Sequence, residues 1–267
     1  MQNIEIYEIG YCKHPEFMVL RGGSFKSVKF PAMVASIEHK KGNLLFDTGY
    51  STHFFDATKK FPEKFYALTT PVTLDKPLCE RINKKIDYIF ISHFHADHIG
   101  GLKDFPNAHI FCSKEAYALS QNKKLSRFYK TKQGVLPALL PEDFKQRVTF
   151  IEDLKEVDLP PSLHPFTKGY TILDDIYIIE LPGHAHGQYG MLVDNYFFIS
   201  DAIWDIRAIT ENAKPNILTS LIMKDMQEYY LTIEKLQILH KKNPKIEIIP
   251  THCTQTLDKY IQKSYDV

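Results

Sequence analysis

Residues 93–98 read His-Phe-His-Ala-Asp-His and run on into Ile99-Gly100-Gly101. Three imidazoles and a carboxylate in six positions is a density that points to a metal site. A solvated His-rich loop is the plain alternative, and the context opposes it. The stretch follows the apolar run Ile86–Ile91, which reads as a largely buried strand. That strand delivers the histidines to its own C-terminal end, where loops build sites. Side chains two apart on a strand share a face, so His93 and His95 reach one ion if the extended conformation persists. Asp97 and His98 come after the chain turns and can face a second ion. Gly100 and Gly101 let backbone pass close to a crowded centre. Neutral imidazole and carboxylate suit zinc, and the same donors accept manganese, iron or cobalt. The fold must therefore bring further ligands to this strand end.

Three other positions can supply them. Leu181-Pro182-Gly183-His184 follows the strand-like run Ile176–Leu181 and sets His184 in a Gly-bounded turn. Phe197-Phe198-Ile199-Ser200 is a short apolar strand ending at Asp201. Ile246–Pro250 is another, ending at Thr251-His252. Four apolar strands thus each end in a metal-ligand residue type, as a shared site at one sheet edge requires. Taken singly, each reads more readily as a turn histidine, a helix-capping Asp or a surface His.

As a set, these motifs resemble those of the metallo-β-lactamase superfamily of metal-dependent hydrolases. The match comprises His93-x-His95-x-Asp97-His98, the Gly183-His184 turn, Asp201 and the late His252. Asp47-Thr48-Gly49, after Leu44-Leu45-Phe46, matches the family's early strand-turn motif. The resemblance implies an α/β chain folded as a four-layer αββα sandwich, one domain over residues 1–267. It implies two Zn²⁺ ions, the first held by His93, His95 and His184. Asp97, His98 and His252 hold the second, and Asp201 bridges both. Asp47 stands behind a ligand and orients it, or simply forms a turn before Gly49.

Two cations roughly 3.5–4 Å apart share a bridging water and bring its pKa from ~16 toward ~7. The resulting metal-bridging hydroxide attacks a polarised carbonyl or a phosphorus centre. Asp97 or Asp201 is the catalytic carboxylate that relays the proton to the leaving group. The chain looks closest to the lactonase branch, which opens acyl-homoserine lactones and related cyclic esters. It is short, and a long segment and a helix separate Asp201 from His252. Many such lactonases place a Tyr three residues after the bridging Asp. Here that residue is Trp204, which donates a hydrogen bond but has no readily lost proton. An acyl-homoserine-lactone-like substrate stays the first expectation, with another ester or lactone beside it, unless Trp204 simply packs. The nearest rivals are a thioesterase of the glyoxalase II type and a mononuclear iron persulfide dioxygenase. The former usually carries a C-terminal helical region for which the chain after His252 is too short.

A formal net charge of +1 offers no general attraction to nucleic acid or to an anionic membrane. The expected partner is a small-molecule substrate. No basic region with an apolar core opens the chain, and no apolar run nears the ~20 residues that span a bilayer. Cys12, Cys79, Cys112 and Cys253 lack zinc-knuckle spacing and read as reduced thiols of a cytoplasmic protein. Cys253, beside His252 on a strand, points to the opposite face. His186 reads as a substrate contact or an exposed residue rather than a surplus ligand. His14, His39, His53, His109, His164 and His240 have no partner pattern and read as surface or structural.

Strands are predicted over Ile4–Tyr11, Ala32–Glu38, Asn43–Asp47 and Ala108–Cys112. Helices are predicted over Ser51–Lys60, opening on a cap at Ser51 or Thr52, and over Leu74–Lys84 and Lys114–Gln121. Asp225–Lys242 is the clearest amphipathic helix, with Tyr229, Ile233, Leu236 and His240 at helical spacing and Leu239 alongside. Tyr260 and Ile261 fall in a short final helix. Asn122–Pro141, mostly polar, reads as an irregular insertion over one face.

Overall fold

The computed structural model describes residues 2–261. Of the expected single domain over 1–267, residues 1 and 262–267 lie outside the described residues. The first sheet holds β1 (Asn3–Pro15), β2 (Ser27–His39), β3 (Gly42–Phe46), β4 (Val72–Thr73), β5 (Tyr88–Phe90), β6 (His109–Cys112) and β7 (Val148–Phe150). Its spatial order is β4-β1-β2-β3-β5-β6-β7. The second holds β8 (Val157–Asp158), β9 (Lys168–Ile172), β10 (Ile176–Glu180), β11 (Tyr189–Val193), β12 (Tyr196–Ser200) and β13 (Glu247–Pro250), in the order β13-β12-β11-β10-β9-β8. Pairing is parallel from β3 through β5 and β6 to β7, and between β12 and β13.

The helices are α1 (Thr52–Ala57), α2 (Glu63–Thr69), α3 (Ala96–Ile99), α4 (Lys114–Gln121), α5 (Arg127–Lys132), α6 (Phe144–Arg147), α7 (Arg207–Thr210), α8 (Met226–Lys242) and α9 (Thr254–Ile261). The central strands are apolar over most of their length because both of their faces are covered. Ile89 and Ile91 enter a core against the first sheet's helices, while Phe90 enters the core between the sheets. Leu45 follows Ile89, and Leu44 and Phe46 follow Phe90. On the second sheet Phe198 and Ile249 face inward, whereas Phe197, Ile199 and Ile248 face outward toward Leu236 and Leu239 of α8. Three apolar layers between four structural layers make the αββα sandwich that the sequence suggested.

Several local readings change. Leu74–Lys84 is no helix. Pro77 starts only a single 3-10 turn at Leu78–Glu80, following the short β4. Ser51 does sit at the start of α1, but its hydroxyl caps nothing and donates instead to Asp104 at 2.7 Å. Asn122–Pro141 is not an irregular flap. It contains α5, buries Val135, Leu136 and Leu139, and pairs Val135 with His95. Asp225 caps α8, accepting from the backbone N–H groups of Gln227 and Glu228. The buried face of α8 uses Tyr229, Thr232, Ile233, Leu236 and Leu239, and His240 is only half-buried. Among the described residues no helix is long and apolar enough to cross a membrane.

Candidate metal centre

Each site residue sits just beyond the C-terminal end of a strand, and the sandwich brings those ends together. Asp47 follows β3; Ser92, His93 and His95 follow β5. His184 follows β10, Asp201 follows β12, and His252 follows β13. Beneath the site the two sheets are linked by Ser92 and Ser200, hydroxyl to hydroxyl at 2.8 Å. The Tyr189 N–H of β11 donates to the Ser92 carbonyl, joining the same two layers. The chain stays extended through His95 and then turns into α3, so Asp97 and His98 project from its first turn. Gly183, at φ +124°, carries the His184 turn tightly against α8. A Cβ there would lie 2.2 Å from the Tyr229 backbone nitrogen.

All seven predicted ligands converge. His93, His95, His184 and Asp201 present donor atoms within 4.8 Å of one another, as do Asp97, His98 and His252. Asp201 lies between the groups. Its Oδ2 is 3.3 Å from His184 Nε2 and 3.0 Å from His252 Nε2, and its Oδ1 is 3.3 Å from His98 Nε2.

The ring nitrogens that face away from the centre are tied to the protein. His98 Nδ1 lies 2.7 Å from Asp47 Oδ2, and His252 Nδ1 lies 2.7 Å from the Pro31 carbonyl. Both partners can only accept, so each Nδ1 donates its proton outward and each Nε2 is the atom left facing the carboxylates. His93 Nδ1 contacts the Ser92 and Ser200 hydroxyls, and His184 Nδ1 contacts Met223 Sδ. The Gln133 backbone hydrogen-bonds His95. Asp47 also accepts from the Ser92 N–H and hydroxyl, both at 2.8 Å. Its turn position and its orienting role therefore coexist.

This donor set fits metal ions. His93 Nε2, His98 Nε2 and Asp201 Oδ1 are buried with no hydrogen-bond partner. Native proteins seldom leave such atoms unsatisfied unless an ion completes them. The electrostatics agree. Burial lowers the pKa of His93 and His95, and takes His184 down to about 3, so these rings are neutral, the form in which imidazole can ligate a metal. Burial would also lower His98 and His252, but Asp97, Asp47 and Asp201 raise His98, and Asp201 raises His252. Burial would raise Asp97, yet His98 and His252 bring it to about 2. Two buried carboxylates thus hold positive charge beside them, a charge that a divalent cation would supply in place of ring protons.

The centre forms the floor of a cleft of about 670 Å³. Phe30, Tyr50, Tyr66, Phe128, Trp204 and Ile222 are among its walls. The Trp204 N–H donates to Asp201 Oδ2 at 3.1 Å, so it is more than packing. His14, read as surface or structural, also lines the cleft. His186 does not share an extended face with His184, because the chain bends there. It pairs with Glu115 at 2.8 Å instead. Cys253 is buried and belongs to neither ligand group among the described residues. His39, His53 and His109 bond Asp175, Asp104 and Thr149, and His164 is exposed.

Sequence reasoning missed Ser92, Ser200, Pro31, Gln133 and Gly134. Only the adjacency of Ser92 to His93 and of Ser200 to Asp201 gave a signal. Gly134, at φ +70°, lies so close that a Cβ would be 2.3 Å from His95 Cδ2.

A sequence profile described as the metallo-beta-lactamase superfamily matches residues 30–252. Solved structures share the fold. An N-acyl homoserine lactone hydrolase, with the product N-hexanoyl-L-homoserine bound at its catalytic metal center, superposes with TM-score 0.66 at 18% identity, covering 96% of this chain and 95% of that one. An AiiA mutant of B. thuringiensis, with N-decanoyl-L-homoserine at its active site, gives 0.66 at 17% identity, covering 96% and 95%. AidC, a dizinc quorum-quenching lactonase in complex with its product, gives 0.60 at 17% identity, covering 94% and 87%.

Proposed function

The chain belongs to the metallo-beta-lactamase superfamily, and from that membership we propose that it is a dinuclear-metal-dependent hydrolase, acting on a lactone of the acyl-homoserine kind or a related ester. One observation carries the reading: two groups of buried ligands meet across Asp201 on the floor of an apolar-walled cleft. His93, His95 and His184 would hold one cation and Asp97, His98 and His252 the other, with Asp201 between. Bound cations would supply Lewis acidity, polarising a carbonyl and bringing a water's pKa from ~16 toward ~7.

The chain's own groups do the rest. Asp47 and the Pro31 carbonyl keep His98 and His252 in the Nδ1–H tautomer, so both present Nε2. Trp204 holds Asp201 Oδ2 while Oδ1 stays unpartnered toward the centre. Asp97 Oδ2, 3.3 Å from the Nε2 atoms of His98 and His252, lines the cleft and is placed to carry a proton to the leaving oxygen. The aromatic walls exclude water and accept an acyl chain. Support for a lactone comes from the lactonases that share the fold. Four free thiols, three of them buried, support a reducing compartment such as the cytoplasm.

Elemental analysis of the purified protein, with a panel of lactones, thioesters and phosphodiesters, tests the proposal. The expected outcome is a pair of hydrolytic cations, lactone turnover, and near-complete loss of turnover in Asp201→Ala. A preference for thioesters would move the chain toward the glyoxalase II type. A single iron with oxygen uptake would replace hydrolysis with dioxygenase chemistry.

A further inference from the structure

The cleft opens between four segments, residues 16–29, 58–69, 122–133 and 213–224, and each contributes to its lining. They are unusual in two ways. Among the described residues, all the large exposed hydrophobic side chains except Phe55, Tyr230 and Leu231 lie on them. Phe25 is 87% exposed, Ile217 83%, Leu221 70% and Phe128 62%, values far from those of a surface that meets only water. The same segments also concentrate positive charge. They hold thirteen of the chain's 33 Lys and Arg residues but only two of its 32 acids, Glu16 and Glu63. Both acids are engaged, by Arg207 and Arg127. Lys26, Lys60, Lys64, Lys123, Lys124 and Lys132 form no ion pair among the described residues. A formal charge of +1 hides this segregation.

We propose that the rim of the cleft docks on an anionic lipid surface, its apolar side chains entering the interface and its unpaired lysines meeting the headgroups. Aromatic and aliphatic groups interleaved with lysine are what such a surface retains, and attraction falls as salt rises. Charge also argues against a second copy of the chain as the occupant. A two-fold contact would set each rim against itself, lysine against lysine. The 16–29 segment is anchored for this role. The Arg21 N–H donates to the Lys214 carbonyl, and the Phe17 and Phe25 rings meet at a tilt, their centroids 5.0 Å apart. Docking would turn the cleft mouth toward the bilayer, and it stands independently of the reaction assigned to the floor.

Flotation of the full chain with phosphatidylcholine vesicles, with and without phosphatidylglycerol, tests it. Binding is expected only with phosphatidylglycerol, weakening as salt is added. Lys123→Glu with Lys124→Glu should lower partitioning roughly tenfold or more, and Phe25→Ser should lower it independently. Neither change touches a cleft-lining residue, so metal content should stay as in the parent protein and report that the fold is intact. Absent flotation, or equal binding to uncharged vesicles, overturns the proposal. So does a dimer seen by light scattering that Phe25→Ser dissociates, which would make a second copy the occupant.

Discussion

Asp47→Asn is a sharp test of how the centre is held. Asp47 sits at φ 59°, in the left-handed region that Asn also tolerates, so the exchange changes donors without straining the backbone. In the parent protein Oδ1 accepts the Ser92 N–H, and Oδ2 accepts both the Ser92 hydroxyl and His98 Nδ1–H. In the variant an NH₂ replaces Oδ2, and His98 Nδ1 faces a donor. The cheapest response moves the ring proton to Nε2, the atom between Asp97 and Asp201. A protonated Nε2 cannot ligate a metal. Flipping the amide instead sets the buried Ser92 N–H against NH₂, at about 1–3 kcal/mol for the unsatisfied donor. Metal affinity at the Asp97, His98 and His252 group should therefore fall roughly 10–100-fold, about 1.4–2.7 kcal/mol. The His93, His95 and His184 group should keep its ion. Competition against a chromophoric chelator should show the stoichiometry falling from about two to about one, since the weakened site loses first. If both equivalents remain at unchanged affinity, the tautomer argument is wrong.

Other outcomes follow from the same geometry. Gly134→Ala would press a Cβ 2.6 Å from His95 Nε2 at φ +70°, so it should cost about 1–3 kcal/mol and loosen the first ion; an unchanged melting temperature and metal content would contradict this. Trp204→Phe removes the donor to Asp201 Oδ2, and a bond to a charged acceptor is worth at most about 1.5–3 kcal/mol. kcat should drop by at most roughly 10–100-fold, and a change in KM alone would leave Trp204 as mere cleft wall. Metal-free protein should lose stability as pH falls below 6.5 toward 3. His93, His95 and His184 stay neutral in the fold but take up protons once unfolded, and His184 follows only near pH 3. His98 and His252, raised in the fold, have the opposite sign, so their contribution is lost as pH rises through their folded values. Melting temperatures across that range on chelator-treated protein check both signs; a flat profile below pH 6.5 would count against the neutral assignment.

The candidate ligands were legible in the sequence because they follow the ends of four largely apolar strands. A strand such as Phe197-Phe198-Ile199 must lie between two covering layers, and its end is then the natural place for a group such as Asp201 that cannot be buried alone. The short strands β7 to β9, and β11, gave no such signal, because their few residues carry no distinctive period. Leu74–Lys84 looked helical by composition, but Pro77 stops the turn that would begin it. What the chain by itself determined is the set of seven candidate ligands and the layered α/β fold, since residue type and apolar patterning are local properties. Only the tertiary structure decided which ring nitrogen faces the centre, that Pro31, Gln133, Ser92 and Ser200 hold those rings, and that four distant segments form an apolar, cationic rim. These are contacts between residues far apart along the chain. They depend on where packing sets each backbone group, and no local pattern encodes that.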